Sequence, residues 1–572
     1  MLVNRLCSNL SQSFFSAAAV GCFVGLAGGS PAKSAENIYL DYDLFGRVIP
    51  TASLESFAVD GTLDESLMPY LGNLPPSSQQ QLQTILSTPV PSLESSTFAQ
   101  ISDPFVLSQW LHSPIGELFL ETLGALVQTA GRQNGGQALR AALTLAAADP
   151  EGLSLINIIR FYPTDGIRLD LPKILALYQG VVTNVESTDR LIAIATQQSQ
   201  SVAASDVDSE SAFNYAALPV LADADASAVE VRSLTLEDKE RSRTYPADLY
   251  LPNNFDAIEG SIPVMIFSHG YGETRTESDT VTLARSLAAN GFVVAVPEHI
   301  GSNKTYRDDL AEGLNHESFE AMEFINRPLD IQFLLDTLEH KNDTEFQGRL
   351  QLENVGLMGY SFGGYTALSA AGATVDLARL HQQCDLDSDF TPDTTNVALL
   401  IQCRLLELES SPGNIQLLTD GSLQDDRVGL VIAFAPLTNL FGEGGMNNIQ
   451  SPVVIMGGTY DIAAPIVLEQ AMAFQWLKNP QKYFYLAENI SHTTELTRII
   501  LDLVSPQGNS PDEIETAERW VFNLAVTLAI AHGKVYLSSD ESYRPYLTSA
   551  YVEAVSIEPT TLHLLRAFPD NF

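Results

Sequence analysis

Apolar residues recur at helical spacing through much of the first 200 positions of the chain. Stretches that contain proline and glycine, such as Pro75-Pro76 and residues 149–152, separate these periodic segments. The pattern predicts a mainly helical N-terminal domain over residues 36–200, after a short extended start at 38–49. The helical segments lie near 53–59, 77–87, 104–130, 137–148 and 171–197.

The pattern changes after residues 201–227, which are rich in Ser, Ala and Asp and are typical of a linker. Over residues 228–508, short β-branched runs alternate with amphipathic stretches. Two of the runs, Val229–Leu236 and Thr244–Tyr250, predict an antiparallel pair. Near-continuous apolar strands between helices indicate an α/β class, with a mostly parallel sheet covered on both faces. The further predicted strands are Pro263–Phe267, Phe292–Val296, Val355–Met358, Val428–Phe434, Pro452–Met456 and Lys482–Leu486.

Two segments interrupt this alternation. Residues 372–427 are too long for a simple loop in a compact unit, so we expect an inserted lid. Residues 509–572 follow the apparent last strand and begin with a helix-capping signal at Ser510–Glu513. We expect this C-terminal extension to be helical, with its first helix ending at His532 and Gly533 as the stop.

One motif carries a recognisable chemistry, Gly359-Tyr360-Ser361-Phe362-Gly363-Gly364, which matches G-x-S-x-G. It follows the predicted strand Val355–Met358 and opens a helical segment, which is the strand–turn–helix setting of a nucleophile elbow. Glycines are needed there because the serine adopts a strained backbone conformation in a crowded turn. The motif therefore predicts Ser361 as a nucleophile, which needs a base to accept its proton.

In proteins with such an elbow, the catalytic acid and then the catalytic histidine follow the serine along the chain. His492 lies in a loop just after the apparent last strand, where the base is expected. Asp461 follows the strand Pro452–Met456 and is the predicted acid, with Glu443 in the preceding loop as the alternative. His532 has a separate explanation at a helix C-terminus, where a positive charge is favoured. The other downstream histidines are His381, in the predicted lid, and His563, near the chain end.

A serine nucleophile of this kind also needs two backbone N–H groups that point at the developing oxyanion. We expect one from Phe362, the residue after the nucleophile, and one from Tyr271 in the loop Ser268–Gly272. The glycines of that loop permit close backbone approach. We interpret His269 as a residue that orients the loop, and His299, a rival for the base, as part of the pocket rim.

Three segments carry a family resemblance. Phe267-Ser268-His269-Gly270, Pro297–Ser302 and the elbow around Ser361 resemble the platelet-activating-factor acetylhydrolase and dienelactone hydrolase branch of the α/β hydrolases. The resemblance covers about residues 230–500. It implies an α/β-hydrolase fold and the hydrolysis of carboxylic esters through an acyl-enzyme.

At one position the chain departs from the acetylhydrolase pattern. Acetylhydrolases of this type carry the acid after the strand that follows the elbow strand, where this chain reads Ala433-Phe434-Ala435-Pro436. Asp461 fits the dienelactone-type position instead.

The N-terminal half, from Leu40–Tyr42 through Ala146–Leu153, resembles an uncharacterised helical domain that is fused to such hydrolases in cyanobacteria.

Composition narrows the classes of function. Hydrophobic residues make up 45% of the chain and charged residues 17%, which is typical of a globular protein. Asp and Glu number 70 against 30 Lys and Arg, a net charge of −40, and such a surface repels phosphate backbones. Nucleic-acid binding is therefore excluded. Because no His or Cys cluster has the spacing of a zinc site, we expect no metal. The expected serine chemistry needs no organic cofactor either.

The N-terminus predicts a signal peptide over residues 1–35. Arg5 precedes an apolar stretch at 14–27 that is too short to span a bilayer but suits the apolar region of a signal peptide. Two alternatives stay open, an uncleaved membrane anchor and lipidation at Cys22. We therefore expect an exported protein, located in a periplasm or outside the cell.

Removal of the signal peptide leaves two of the four cysteines, Cys384 and Cys403. In an exported chain, one remaining pair predicts one disulfide. Two free buried thiols are the alternative.

These features together predict an exported serine esterase that acts on a small-molecule or lipid ester. A serine peptidase with the same triad is one alternative, and a non-catalytic binding module with this fold is another. Peripheral contact with a membrane stays open.

Overall fold

The computed structural model of the chain describes residues 34–42, 45–89, 103–209, 214–252, 255–385, 392–493, 497, 511–557 and 560–569. Nearly all of the predicted signal peptide, including Cys22, therefore lies outside the described residues. The chain divides into two compact units, one with residues up to 111 and 117–174, the other with 112–116 and 175 onward. The boundary falls within the helix Leu171–Ser209 and not at the predicted linker.

The first unit is mainly helical, but it also contains a small sheet, of which only the extended start at 38–49 was predicted. Its strands are β1 (Asn37–Tyr42), β2 (Phe45–Pro50), β3 (Val127–Thr129) and β4 (Gly166–Asp170), in the order β2-β1-β4-β3. β1 and β4 run parallel, and the other pairs are antiparallel. β3 and β4 were not predicted, because both are too short to show a clear alternation and β3 lies within a stretch predicted as helix. The helices of this unit are Thr51–Asp60, Met68–Leu71, Pro76–Ser87, Pro104–Leu111, Pro114–Leu126, Gly136–Ala148 and Leu155–Arg160.

The second unit is built on one large sheet. Its strands are β5 (Glu230–Asp238), β6 (Arg243–Leu251), β7 (Ile262–Ser268), β8 (Val293–Pro297), β9 (Leu350–Tyr360), β10 (Val428–Phe434), β11 (Val453–Gly458), β12 (Lys482–Ala487) and β13 (Leu562–Leu565). Over the described residues their order is β13-β12-β11-β10-β9-β7-β8-β6-β5. The strands from β7 to β12 all pair in parallel with their neighbours in this set. β5, β6 and β13 lie at the two edges of the sheet and pair antiparallel. The predicted α/β class is confirmed.

Helices cover both faces of this sheet, which explains why strands such as β7, β8 and β11 are buried along their whole length. The helix Phe362–Ala370, here called the elbow helix, begins directly after the central strand β9. The remaining helices are Ser278–Ala289, Lys304–Ala311, Glu323–Glu345, Leu377–Gln383, Leu399–Gln402, Pro412–Thr419, Gly442–Met446, Met472–Trp476, Pro511–Leu537 and Ser549–Val555, and Val467–Ala471 forms a π-helical turn. The 3₁₀ turns are Tyr215–Ala217, Leu221–Asp223, Phe255–Ala257, Pro392–Thr395, Cys403–Ser410, Asn439–Phe441 and Glu541–Leu547.

The C-terminal extension differs from its prediction. Its first helix runs from Pro511 to Leu537, so it does not end at Gly533. A Cβ atom on Gly533 would lie 2.8 Å from the Phe292 ring, so this glycine permits close packing of the helix on the sheet. The chain end then adds β13 to the sheet, where only helix was expected. Among the described residues, one helix, Glu513–Leu537, is long and apolar enough to cross a membrane, and most of it is buried in the core of the second unit.

Residues 201–227 also differ from the linker that their composition predicted. The long helix continues through them to Ser209. Tyr215 and Leu221 then enter the hydrophobic core of the second unit, and Leu221 O accepts a hydrogen bond from the Asn290 side chain. A few apolar side chains are therefore enough to anchor a segment of polar composition.

Candidate active site

Ser361 stands between β9 and the elbow helix, at φ 56° and ψ −117°. Residues with side chains rarely adopt this backbone conformation, and such strain is common at functional sites. A Cβ atom on Gly359 would lie 2.0 Å from the carbonyl oxygen of Gly363, and one on Gly363 would lie 1.9 Å from that of Ser268. The two glycines therefore let the turn close and bring the loop after β7 against it.

His492 connects Ser361 with Asp461. Its Nε2 lies 2.9 Å from the Ser361 Oγ, and its Nδ1 lies 2.7 Å from the Asp461 Oδ2. Because the carboxylate accepts the Nδ1 proton, Nε2 is left to accept the proton of the serine hydroxyl. Asp461 Oδ1 accepts the backbone N–H of Ala464 at 2.7 Å, which holds the carboxylate in place after β11. The structure thus brings together the three residues that chain order had selected.

Tyr360, the residue before the nucleophile, contacts the same histidine. Its ring centroid lies 5.0 Å from that of His492, and its hydroxyl donates to the His492 main-chain carbonyl. The sequence analysis assigned no role to Tyr360. Its position inside the G-x-S-x-G motif was a signal that could have singled out Tyr360. Its contact with His492, however, depends on the fold of a loop that lies far away in the chain.

Two carboxylates act on His492. Burial disfavours the imidazolium, but the charge and hydrogen bond of Asp461 and the charge of Glu273 outweigh it, so the pKa of His492 lies above its ordinary value. Desolvation in turn raises the pKa of the Glu273 carboxyl, and a hydrogen bond from the Gly270 N–H and the charge of His492 offset part of that rise. Glu273 was not predicted, because nothing in its spacing connects it with His492.

The predicted oxyanion donors lie on the two segments that meet at the elbow. Phe362 is the first residue of the elbow helix, so the helix does not use its N–H. Tyr271 belongs to residues 269–273, here called the oxyanion loop. Within the described part of the chain, neither N–H has a hydrogen-bond partner. The rings of Tyr271 and Phe362 both pack on Phe319, with centroids 5.6 Å and 5.8 Å away, so the two donors share one neighbourhood.

The alternative acid, Glu443, has a different environment. Its side chain is 67% exposed and lies 3.8 Å from Lys478 in an ion pair. At the position after β10, where the acetylhydrolase arrangement places its acid, Ala435 and Pro436 have no ionisable group, and the Pro436 ring packs against the elbow helix near Gly364. Of the two acids considered, Asp461 is therefore the one that contacts the histidine.

The other downstream histidines each have a separate partner. His532 is buried within its helix, and its Nε2 lies 3.1 Å from the Tyr485 hydroxyl. Burial lowers the pKa of His532 far below its ordinary value, so it is neutral and the expectation of a charged residue at a helix end is wrong. His381 lies 2.7 Å from Glu409, and His563 lies 2.6 Å from Glu488.

His269, the first residue of the oxyanion loop, and His299 are both fully buried. The Nδ1–H of His269 donates to the Gly270 carbonyl at 2.8 Å, and its Nε2 accepts the His299 N–H at 3.1 Å, so this residue orients the loop. Burial and the charge of Arg327 lower the pKa of His269 to about 4, which keeps the ring neutral. The expectation that His299 lies at the pocket rim is wrong.

His299 instead completes a second Ser-His-Asp arrangement that the sequence did not reveal. Its Nε2 lies 2.9 Å from the Ser268 Oγ, and its Nδ1 lies 3.4 Å from the Asp330 Oδ2. All three residues are 0% exposed, so no substrate reaches this serine. The same side-chain types therefore occur twice in the unit, once with a serine that is 7% exposed and once with a serine that is 0% exposed.

The insertion 372–427 contains the predicted disulfide, and the structure joins Cys384 and Cys403. A second fixed point comes from Glu469, which is 0% exposed and accepts hydrogen bonds from the side-chain amides of Asn396 and Gln402 at 2.6 Å and 2.7 Å. The inserted segment is therefore tied both to itself and to the main body of the unit.

The sheet is mostly parallel, and its central strand ends in a strained turn that carries a serine. The loops with the acid and the histidine follow in chain order. This combination defines an α/β hydrolase. Two family models match parts of this chain. Residues 34–170 match a family described as an α/β hydrolase of unknown function (DUF1400), and residues 244–320 match platelet-activating factor acetylhydrolase, isoform II. The chain is thus an α/β hydrolase, and the two matches support the resemblance to the platelet-activating-factor-acetylhydrolase-like branch that the sequence showed. No curated protein matches it.

The two matches bear on different parts of the molecule. The first covers the mainly helical unit, and the second covers β7, Tyr271 and β8 but ends before Ser361. Together they identify a hydrolase. Neither match reaches Ser361, Asp461 or His492, whose arrangement is given by the geometry described above.

Proposed function

We propose that the chain is an exported serine esterase whose catalytic triad is Ser361, His492 and Asp461. The single observation that carries this proposal is the position of His492, 2.9 Å from the serine hydroxyl and 2.7 Å from the carboxylate. A base that is oriented by an acid and contacts a serine in a strained turn is the arrangement that activates a hydroxyl for acyl transfer.

In the proposed reaction, Ser361 Oγ attacks the ester carbonyl while His492 Nε2 takes its proton. Asp461 stabilises the imidazolium, and the N–H groups of Tyr271 and Phe362 donate to the oxyanion. The intermediate then expels the alcohol, which receives the proton from His492. Water, activated by the same histidine, hydrolyses the acyl-enzyme and restores Ser361. The chemistry needs no cofactor.

The ester class is favoured over an amide class by the acetylhydrolase-type match over residues 244–320. The substrate we expect is a small-molecule or lipid ester. Export is supported by the Cys384–Cys403 disulfide, since such bonds persist in oxidising compartments.

The test is a series of p-nitrophenyl esters from acetyl to dodecanoyl, with wild-type protein and Ser361→Ala. The wild type should hydrolyse at least part of the series, and Ser361→Ala should lose more than about a thousandfold in kcat. Ser369→Ala is the matched control, because Ser369 is a buried serine of the elbow helix that does not contact His492. It should keep wild-type activity.

Three outcomes would contradict the proposal. Retention of more than about a tenth of the activity in Ser361→Ala would exclude this nucleophile, since that corresponds to only about 1.4 kcal/mol. Cleavage of p-nitroanilides but not of esters would indicate a peptidase. A folded wild type that turns over neither would indicate a binding module.

A further inference from the structure

Arg327 is an arginine with a 0% exposed side chain in the helix Glu323–Glu345, directly beneath the oxyanion loop. Such residues are rarely buried completely unless each donor has a partner. Its Nε and Nη2 donate to the Ser302 Oγ at 2.9 Å and 2.8 Å, and its Nε lies 3.7 Å from a Glu323 oxygen. These contacts leave the other side of the guanidinium to face the loop.

On that side the guanidinium holds two successive carbonyl groups. Nη1 donates to His269 O at 2.7 Å, and Nη2 donates to Gly270 O at 3.3 Å. In a planar trans peptide the C=O and N–H groups point in opposite directions. The N–H paired with the Gly270 carbonyl is that of Tyr271, so the bond from Arg327 turns this N–H away from the buried helix.

The neighbouring N–H groups of the loop are already used. The Gly270 N–H donates to Glu273 Oε2 at 2.8 Å, and the Gly272 N–H donates to Ser302 O at 2.8 Å. Between them, the Tyr271 N–H has no partner within the described part of the chain. The loop is therefore fixed on both sides of the Tyr271 N–H.

The same guanidinium contacts the other half of the candidate oxyanion hole. Its central carbon lies 4.4 Å from the centroid of the Phe362 ring, over whose face the positive charge is attracted. Phe362 is the residue whose N–H is the second proposed donor. Burial lowers the pKa of Arg327 to about 10, so the side chain remains charged at neutral pH. A fixed positive charge thus stands behind both donors, where it favours a developing anion.

We propose that Arg327 is the positioning residue of the oxyanion hole, which it assembles by holding the Gly270–Tyr271 peptide and the Phe362 ring in one fixed arrangement. This role rests on the proposed function, because it concerns how the same site stabilises its transition state. Arg327 does not touch the substrate, and it acts through the N–H groups of Tyr271 and Phe362.

The test compares Arg327→Lys with Arg243→Lys. A lysine keeps the charge at position 327 but cannot donate to both carbonyl groups and to Ser302 in one plane. Arg243 is the matched control, because it is a buried arginine that bonds the same Glu323 and also Asp330, without contact to the oxyanion loop. For each variant, kcat and KM are measured on a p-nitrophenyl ester that the wild type hydrolyses, together with the melting temperature.

The decisive readout is the inhibition constant of a trifluoromethyl ketone with the same acyl chain. Such a ketone adds to the serine as a hemiketal, whose oxyanion occupies the hole. Loss of one oxyanion donor typically costs about 10²–10³ in kcat. We expect Arg327→Lys to lose roughly 10–100-fold in kcat and a similar factor in affinity for the ketone, with KM changed by less than about threefold. Arg243→Lys should change the melting temperature but neither kcat nor the inhibition constant by more than about threefold.

Ser302→Ala provides a second, smaller change if Arg327→Lys does not fold. It removes the hydroxyl that braces the guanidinium while leaving the charge in place, so kcat and ketone affinity should fall together by about 3–10-fold. The proposal is overturned if the folded Arg327 or Ser302 variants keep wild-type kcat and ketone affinity, or if Arg243→Lys loses as much as Arg327→Lys. A wild-type chain that hydrolyses no ester and binds no ketone would refute the proposed function itself and this role with it.

Discussion

The ring of Tyr360 lies against the imidazole of His492, with their centroids 5.0 Å apart, while the Tyr360 hydroxyl donates to the main-chain carbonyl of His492. The residue next to the proposed nucleophile therefore also holds the loop that carries the proposed base. One side chain thus connects two segments that are far apart in the chain, beside the contact between Ser361 and His492.

Tyr360→Phe tests this contact, because it removes the hydrogen bond but keeps the ring against His492. One such bond contributes about 1 kcal/mol net, so kcat on a p-nitrophenyl ester should fall by roughly 3–10-fold with little change in KM. Tyr365→Phe is the control, since its hydroxyl donates to Phe324 O inside the same unit and does not contact His492. Equal losses of kcat in the two variants would contradict a specific role for Tyr360.

The assignment of the acid gives the second prediction. Asp461→Asn should lower kcat by about 10⁴, because the amide no longer stabilises the imidazolium and favours the wrong tautomer of His492. Glu443→Gln should stay within about twofold of the wild type, since Glu443 is exposed and pairs only loosely with Lys478. Steady-state kinetics on one ester substrate distinguish the two, and the reverse pattern would move the acid to the loop after β10.

The order of elements in the second unit was predictable because its strands are continuous apolar runs. Each of the predicted strands is found, and the elbow falls at the end of β9 as its glycines required. β13 was missed because it is a short edge strand at the chain end, beyond a helix that seemed to close the fold. Gly533 was misread as a helix stop, since a sequence does not show that Phe292 packs against that glycine.

The site was predictable to the extent that chain order constrains it. Ser361, Asp461 and His492 follow from a motif, a strand end and a loop position. Glu273, Tyr360 and Arg327 do not, because their contacts arise only when three separate segments meet around the elbow. Local spacing carries no information about such contacts. It also led to the prediction that His299 lies at the pocket rim, which is wrong because His299 is completely buried.

The third prediction uses the second Ser-His-Asp arrangement. Ser268→Ala should keep kcat within about threefold of the wild type, because this serine is 0% exposed and no ester reaches it. It should nevertheless lower the free energy of unfolding by about 1–3 kcal/mol, since the His299 Nε2 loses its partner in the core. Urea unfolding and ester kinetics on the same preparation test both parts. Loss of activity without loss of stability would show that Ser268 takes part in the reaction.

The last prediction concerns pH. His492 must be neutral to accept the proton of Ser361, and its pKa lies above its ordinary value, chiefly because the effects of Asp461 and Glu273 outweigh burial. The neutral form is therefore populated only at higher pH. As a result, kcat/KM should rise with pH through an apparent pKa above the ordinary histidine value of about 6.5.

Glu273→Gln removes one of the two negative charges that stabilise the imidazolium, so the pKa of His492 should fall. The rising limb of kcat/KM should accordingly move toward lower pH, by about 0.3–1 pH unit. Glu277→Gln is the matched control, because Glu277 lies four residues further along and acts on Glu273 but not on His492. A rising limb that stays in place in Glu273→Gln, or that moves equally in both variants, would show that Glu273 does not set the basicity of His492.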